Sequence, residues 1–190
     1  MSDVKNKDKD AAAESEEEIA GRSRRMVDGL NAMAGAGIPL GEAVPHPEGM
    51  ADFSRWLSLM VRKAERGKVE LVMRTRPEMS NPTGLLHGGV QAAVLDSTIG
   101  VTCATLGYRG FPITISLVCN FLGKIPIGEE VLAAGEVMRE GTSIIHAHAR
   151  LLDAGGRIVA EGEANLLKTT YVPTYVNFAD GPGEAGKEKP

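Results

Sequence analysis

The chain has only two cysteines, few aromatic residues and no strongly basic balance. Cys103 falls in an apolar helix pattern and Cys119 in a strand pattern, so both read as small buried hydrophobes in a reducing compartment. Neither belongs to a Cys-x-x-Cys spacing, which argues against a metal site built on them. No apolar stretch reaches the ~18 residues of a membrane span. The acidic, lysine-containing N-terminus lacks the apolar core of a signal peptide, so a cytoplasmic location is expected. A formal net charge of -4 supplies no basic field, which argues against nucleic acid as a partner.

What is present is enough for one domain with extensions, in a chain of 190 residues. Residues 1 to about 20 are mostly Lys, Asp, Glu, Ser and Ala and are expected to be disordered. Residues 22–34 have the spacing of a short amphipathic helix, either a docking segment or, on the plainer reading, a frayed surface helix. Residues 35–49, with Pro39, Pro45 and Pro47, read as a linker. The division expected is therefore an N-terminal extension over 1–49, one domain over 50–172 and a flexible tail over 173–190. Within the domain, Met50, Phe53, Trp56, Leu57, Met60 and Val61 predict a single helix from 50 to about 66. Val69, Leu71 and Met73 alternate as in a strand. Four more strand-like segments follow residue 111, joined by Gly128-Glu129, Glu140-Gly141 and Ala154-Gly155-Gly156, all hairpin-like. The order is strand, long helix and four antiparallel strands in a meander. That predicts an α+β fold with the helix on the concave face of one sheet.

Residues 81–100 organise the rest. Asn81-Pro82 and Gly84 mark a turn, and His87-Gly88-Gly89 open a helix that is apolar on nearly every side. Such a helix is normally buried, yet it carries Asp96, and a buried carboxylate needs a partner or a task. Asp96 lies eight residues beyond Gly88 among Gly89, Ala92, Ala93, Gly100 and Cys103, all small. A thin ligand fits such a strip, and the acid suits a nucleophile or a general base. The free N–H groups of the helix start suit the oxygen of a carbonyl under attack. The plainer alternatives are a tight turn at Gly88-Gly89 and a turn-closing Asn81. His87 would then be a helix cap, and Asp96 an acid at a boundary or paired with an arginine. Thr114 and Ser116 are polar positions on an apolar strand that either hold a water or face solvent. His146 and His148 form a His-x-His pair with no evident third metal ligand, so a solvated strand face is the better reading.

Asn81, Gly84, His87-Gly88-Gly89 and Asp96, followed by the strand around residues 114–122, resemble the hotdog-fold acyl-CoA thioesterases of the phenylacetate-degradation type. The resemblance spans roughly residues 50–172. It implies a hotdog fold and a homodimer with a continuous sheet, with dimers pairing into dimers of dimers. Active sites would lie at the dimer interface. The Gly88 N–H would polarise the thioester carbonyl of an acyl-CoA, and Asp96 of the neighbouring subunit would be nucleophile or base. His87 and Asn81 would orient the substrate or leaving group. Gly89, Thr114, Ser116, Asn120 and Lys124 would contribute to substrate binding. No metal or other cofactor is implied. Where the family often has Arg-Pro, this chain has Gly123-Lys124-Ile125-Pro126, which leaves Lys124 to meet the CoA phosphates. Two competitors share the fold, a non-catalytic acyl-CoA-binding module and a hydratase or dehydratase. Asp96 counts against the first, and the position of His87 at the helix entrance counts against the second.

Overall fold

The computed structural model of the chain describes residues 14–42 and 52–171. In chain order these form α1 (Glu16–Ala36), α2 (Asp52–Leu57), β1 (Met60–Glu65), β2 (Lys68–Arg74), α3 (Gly88–Ala104), β3 (Ile113–Phe121), β4 (Glu130–Glu140), β5 (Ile144–Leu152) and β6 (Ile158–Leu167). The strands make one antiparallel sheet in the order β1-β2-β4-β5-β6-β3, and α3 lies against it. This is the expected α+β architecture. The expectations for residues 1–13, for Pro45, Pro47 and Met50, and for the tail beyond residue 171 lie outside the described residues.

Small side chains let the helix come close. Under α3 the sheet presents Ala133, Gly135, Ala147, Ala149, Ala160, Gly162 and Ala164, all buried. The helix answers with one stripe at helical spacing, Gln91, Val94, Leu95, Thr98, Ile99, Thr102 and Cys103. A Cβ built on Gly135 would lie 2.3 Å from Thr102 Oγ1 and 3.1 Å from Thr98 Cγ2. The two threonine hydroxyls donate back to the helix, Thr98 to the Val94 carbonyl and Thr102 to the Thr98 carbonyl, each at 2.7 Å. Their buried polar atoms are thus satisfied without any group from the sheet. The helix is therefore not buried all round, as its composition predicts. Gly89, Ala92, Ala93, Asp96, Ser97 and Gly100 form a side left partly open. Glycine and alanine read as apolar in a pattern, but they bury little area and need no cover.

Four further differences from the sequence reading have local causes. The segment from residue 50 to 66 is a short helix and then a strand. Ser58, at φ 53°, ends α2, and the pairing of β1 with β2 shifts register between Val61 and Lys63. That bulge puts buried Val61 and Ala64 three residues apart, which imitates a helical period. Two strands, not one, therefore precede α3. The meander is also interrupted, because β3 pairs with β6 at one edge while β4 pairs with β2. The β3–β4 connection is not a hairpin. Leu86 N–H donates to the Ile125 carbonyl at 2.8 Å and Thr75 N–H to the Glu129 carbonyl at 2.8 Å, which carries the chain across to β2. Finally, α1 begins at Glu16, inside the stretch expected to be disordered. Ser15 and Glu18 form a reciprocal capping box there, and three glutamates face the positive end of the helix dipole.

The helix α1 is docked rather than frayed. Leu30 and Met33 are buried, and the Asn31 side chain pairs with the backbone of Ala64, donating to its carbonyl and accepting from its N–H, both at 2.9 Å. That amide takes the place of a neighbouring strand on the β1 edge. Ser23 Oγ donates to the Thr105 carbonyl at 2.7 Å and Arg22 Nε to the Gly107 carbonyl at 2.8 Å, tying α1 to the end of α3.

Gly135→Ala tests the helix-to-sheet spacing. The added methyl meets Thr102 with no room to move, so stability in urea falls by about 1–3 kcal/mol. A variant as stable as the parent would show that the close approach is not constrained there.

Candidate active site

The first turn of α3 has four N–H groups without intrahelical acceptors. His87, the N-cap, accepts from the Gly89 N–H at its Nδ1, at 2.9 Å. The Val90 and Gln91 N–H groups both reach the His87 carbonyl, at 3.0 and 3.1 Å. Among the described residues only the Gly88 N–H is left without an acceptor. It is the one donor at this helix end still available to an oxygen carrying partial negative charge. The capping role also fixes the histidine ring, with Nδ1 as acceptor and Nε2 facing outward as the possible donor. The Phe121 ring borders the same spot, its Cζ 3.5 Å from where a Cβ on Gly88 would stand.

Asn81 closes the turn that precedes the helix. Its Oδ1 accepts from Thr83 N–H at 2.9 Å, Thr83 Oγ1 at 2.7 Å and Leu85 N–H at 3.2 Å. Gly84, at φ 78°, supplies the left-handed residue of that turn. The Asn81 side-chain carbonyl is thus committed to the loop, and the amide nitrogen is what it can offer a ligand.

Asp96 sits on the partly open side of α3, where its Oδ1 accepts from Thr114 Oγ1 at 2.9 Å. Thr114 reaches it because β3 shifts register between Thr114 and Ser116. Past that irregularity the faces exchange, so Leu117 and Cys119 continue the helix side. Ser116 and Asn120 lie on the outer face. Ser116 Oγ accepts from Asn165 Nδ2 at 3.0 Å, and Asn120 Nδ2 donates to Glu161 at 3.4 Å. Lys124 is exposed in the connection after β3, with no hydrogen bond or ion pair to the described residues. The two thiols are poor competitors for chemistry. Burial, and then the Asp96 charge, raise the Cys119 pKa, and burial followed by Glu140 pushes Cys103 up to about 12.

One chain therefore forms two groups. Asp96 and Thr114 are together, and Gly88, Gly89, His87 and Phe121 are together at the helix start. Asp96 stands eight positions beyond Gly88 on the helix, about 12 Å along the axis. Sequence reasoning missed Gln91, which is 5% exposed, donates from Nε2 to the Leu86 carbonyl at 3.0 Å and leaves Oε1 without a partner among the described residues. Its signal was a lone amide inside an apolar helix pattern.

A long helix held against one curved antiparallel sheet, with a histidine-capped start and a half-buried acid two turns on, is the hotdog architecture. Residues 83–160 of the chain match the model of the thioesterase superfamily. Among its relatives, acyl-coenzyme A thioesterase 13 of Homo sapiens is 28% identical over 102 residues, covering 52% of this chain and 71% of the relative. Similar solved structures include the E. coli PaaI protein from the phenylacetic acid degradation operon. It has a TM-score of 0.62 at 15% identity, over 77% of this chain and 98% of that one. A Streptococcus mutans protein bound to acetyl CoA has a TM-score of 0.59 at 18% identity, over 68% of this chain and all of the other, 100%. Among the described residues, no helix is long and apolar enough to cross a membrane.

The cap is testable apart from any activity. His87→Ala removes the acceptor for the Gly89 N–H and lowers stability by about 1 kcal/mol, whereas His87→Asn, itself a strong N-cap, recovers most of it. Equal stability of wild type and His87→Ala in chemical denaturation would contradict the capping role.

Proposed function

We propose that the protein is an acyl-CoA thioesterase that hydrolyses its substrate to a free carboxylic acid and CoA-SH. One observation carries the reading: an acid held by a threonine hydroxyl on a helix side otherwise lined by glycine and alanine. The match of residues 83–160 to the thioesterase superfamily model, the similarity to acyl-coenzyme A thioesterase 13 and the acetyl-CoA-bound structural neighbour support the substrate class.

The proposed site is shared between two copies of the chain. A carbonyl carbon cannot be within ~3 Å of an acid and its oxygen within hydrogen-bond reach of an N–H when the two lie about 12 Å apart on one rigid helix. An antiparallel pairing of two chains brings Asp96 of one toward Gly88 of the other. The β3 edge suits that pairing. Among the described residues it has no neighbouring strand, and Ile113, Ile115, Val118, Phe121 and Leu122 are 45–64% exposed along it and just beyond it. The opposite edge is already occupied by α1. In this reading β3 pairs with β3 to make one continuous sheet, and dimers assemble further into tetramers.

The chemistry needs a polarised carbonyl and a base. Gly88 N–H donates to the thioester oxygen and stabilises it as negative charge develops. Asp96 acts as base or as nucleophile. As base, it takes a proton from water, and the resulting hydroxide adds to the carbonyl carbon. As nucleophile, it adds to that carbon itself, and water then opens the acyl-enzyme anhydride. In both, the C–S bond breaks and the departing thiolate is protonated to CoA-SH. Thr114 donates to Asp96 and holds it in line. His87 Nε2 and Asn81 Nδ2 orient the substrate, Gly89 leaves room for the backbone to approach it, and Lys124 meets the CoA phosphates. Ser116 and Asn120, on the outer face and bonded to Asn165 and Glu161, are given no part in the scheme. No metal or further cofactor enters the scheme, and the location proposed is cytoplasmic.

Free-thiol release from short, long and aromatic acyl-CoAs tests the reading. Wild type turns over at least one of them, Asp96→Asn loses at least about 100-fold in kcat, and Thr114→Val loses about tenfold. Binding of acyl-CoA with no turnover of any would make this a non-catalytic module, and wild-type rates in Asp96→Asn would refute the mechanism.

A further inference from the structure

We propose that Gln91 is a positioning residue that fixes the direction of the Gly88 N–H by clamping the two peptide groups ahead of it. This rests on the thioesterase reading and goes beyond it to the residue that sets the geometry of its carbonyl-polarising donor. The Gly88 N–H belongs to the peptide between His87 and Gly88. That group is planar and trans, so the N–H points opposite to the His87 carbonyl. The carbonyl is held on the helix side by two donors, the Val90 and Gln91 N–H groups at 3.0 and 3.1 Å. The peptide before it, between Leu86 and His87, is held at both ends. Its N–H donates to the Met79 carbonyl at 2.9 Å, and its carbonyl accepts from Gln91 Nε2 at 3.0 Å. Among the described residues the Leu86 carbonyl has no other donor. One residue thus grips both carbonyls, one through its backbone and one through its side chain.

The other half of the Gln91 amide argues that this grip is not merely packing. The residue is 5% exposed, heads the stripe of α3 that faces the sheet, and leaves Oε1 with no partner among the described residues. A buried acceptor without a donor lowers stability, and an apolar side chain of the same length would avoid that cost. Turning the amide over offers no remedy, because it would set its oxygen against the Leu86 carbonyl oxygen and lose the one bond made. The position therefore accepts an orphaned oxygen in order to keep a donor on Leu86.

Gln91→Met keeps the length and removes the donor. With the acyl-CoA best turned over by wild type, kcat falls about tenfold while KM stays within about twofold, because the clamp matters to the developing oxyanion and not to ground-state binding. Thermal stability is unchanged or raised, since the orphaned oxygen is gone. In glycine-labelled protein the Gly88 amide resonance moves and its hydrogen exchange quickens. Gln91→Glu is the second variant. Its protonated carboxyl can donate to Leu86 and its ionised form cannot, so its kcat relative to wild type rises as the pH is lowered. Unchanged kcat with an unmoved Gly88 amide in a folded Gln91→Met protein would overturn the proposal, as would a loss confined to KM. The Gly88 amide readout does not require turnover. If wild type hydrolyses no thioester, the thioesterase reading fails, and an unmoved amide then overturns the clamp as well.

Discussion

The architecture depends on how closely α3 approaches the sheet. Glycine and alanine on the inner face of β4, β5 and β6 leave no layer of large side chains between helix and strands, and Gly135 against Thr102 marks the tightest point. The large apolar residues of the strands lie to the flanks, where Leu71, Met73, Ile145, Leu151 and Leu166 are fully buried. The threonines that face the sheet close their hydroxyls onto their own helix, so the contact can be both tight and free of orphaned polar atoms along most of its length. The exception is Gln91, at the end of the helix where the proposed chemistry begins.

With one side of α3 committed to the sheet, its other side needs no large residue and has none over Gly89, Ala92, Ala93, Asp96, Ser97 and Gly100. The same economy that packs the helix leaves a partly open strip of small residues along it. A half-buried carboxylate there keeps part of its solvation and gains a hydrogen bond from Thr114, which is how a charge is tolerated beside an apolar core. The two edges of the sheet are treated differently. Asn31 pairs with the backbone of Ala64 and closes the β1 edge, whereas among the described residues β3 has no outer neighbour and carries exposed aliphatic and aromatic side chains. An open edge beside a half-built site is the arrangement expected when a second chain supplies the missing half.

Periodicity made most elements legible in the sequence. The helix from Gly88 and the strands β2 and β4 to β6 were all readable from alternation and turn residues. The failures share a cause, which is that bulges change the count. The irregularity between Val61 and Lys63 disguised a strand as a helix, and the one between Thr114 and Ser116 put Thr114 on the helix side and Ser116 on the outer face. Strand order was not legible either, because the bonds from the β3–β4 connection to Leu86 and Thr75 involve backbone groups that any residue possesses. Gln91 was passed over because a single amide in an apolar run gives no hint of which carbonyl it will meet.

Subunit complementation tests the central claim that Asp96 and Gly88 act together across two chains. Gly88→Pro removes the donor alone. Proline suits the first helical position, and His87, at φ -62° and ψ 137°, already has the backbone that a following proline requires. Two inactive proteins, Asp96→Asn and Gly88→Pro, are unfolded and refolded together in equal amounts. Half of the dimers are then mixed, and each mixed dimer carries one intact site and one doubly damaged site. Recovery of about a quarter of wild-type thioesterase activity is the result predicted. Mixed dimers that form but remain inactive would place both groups in one chain and contradict the account.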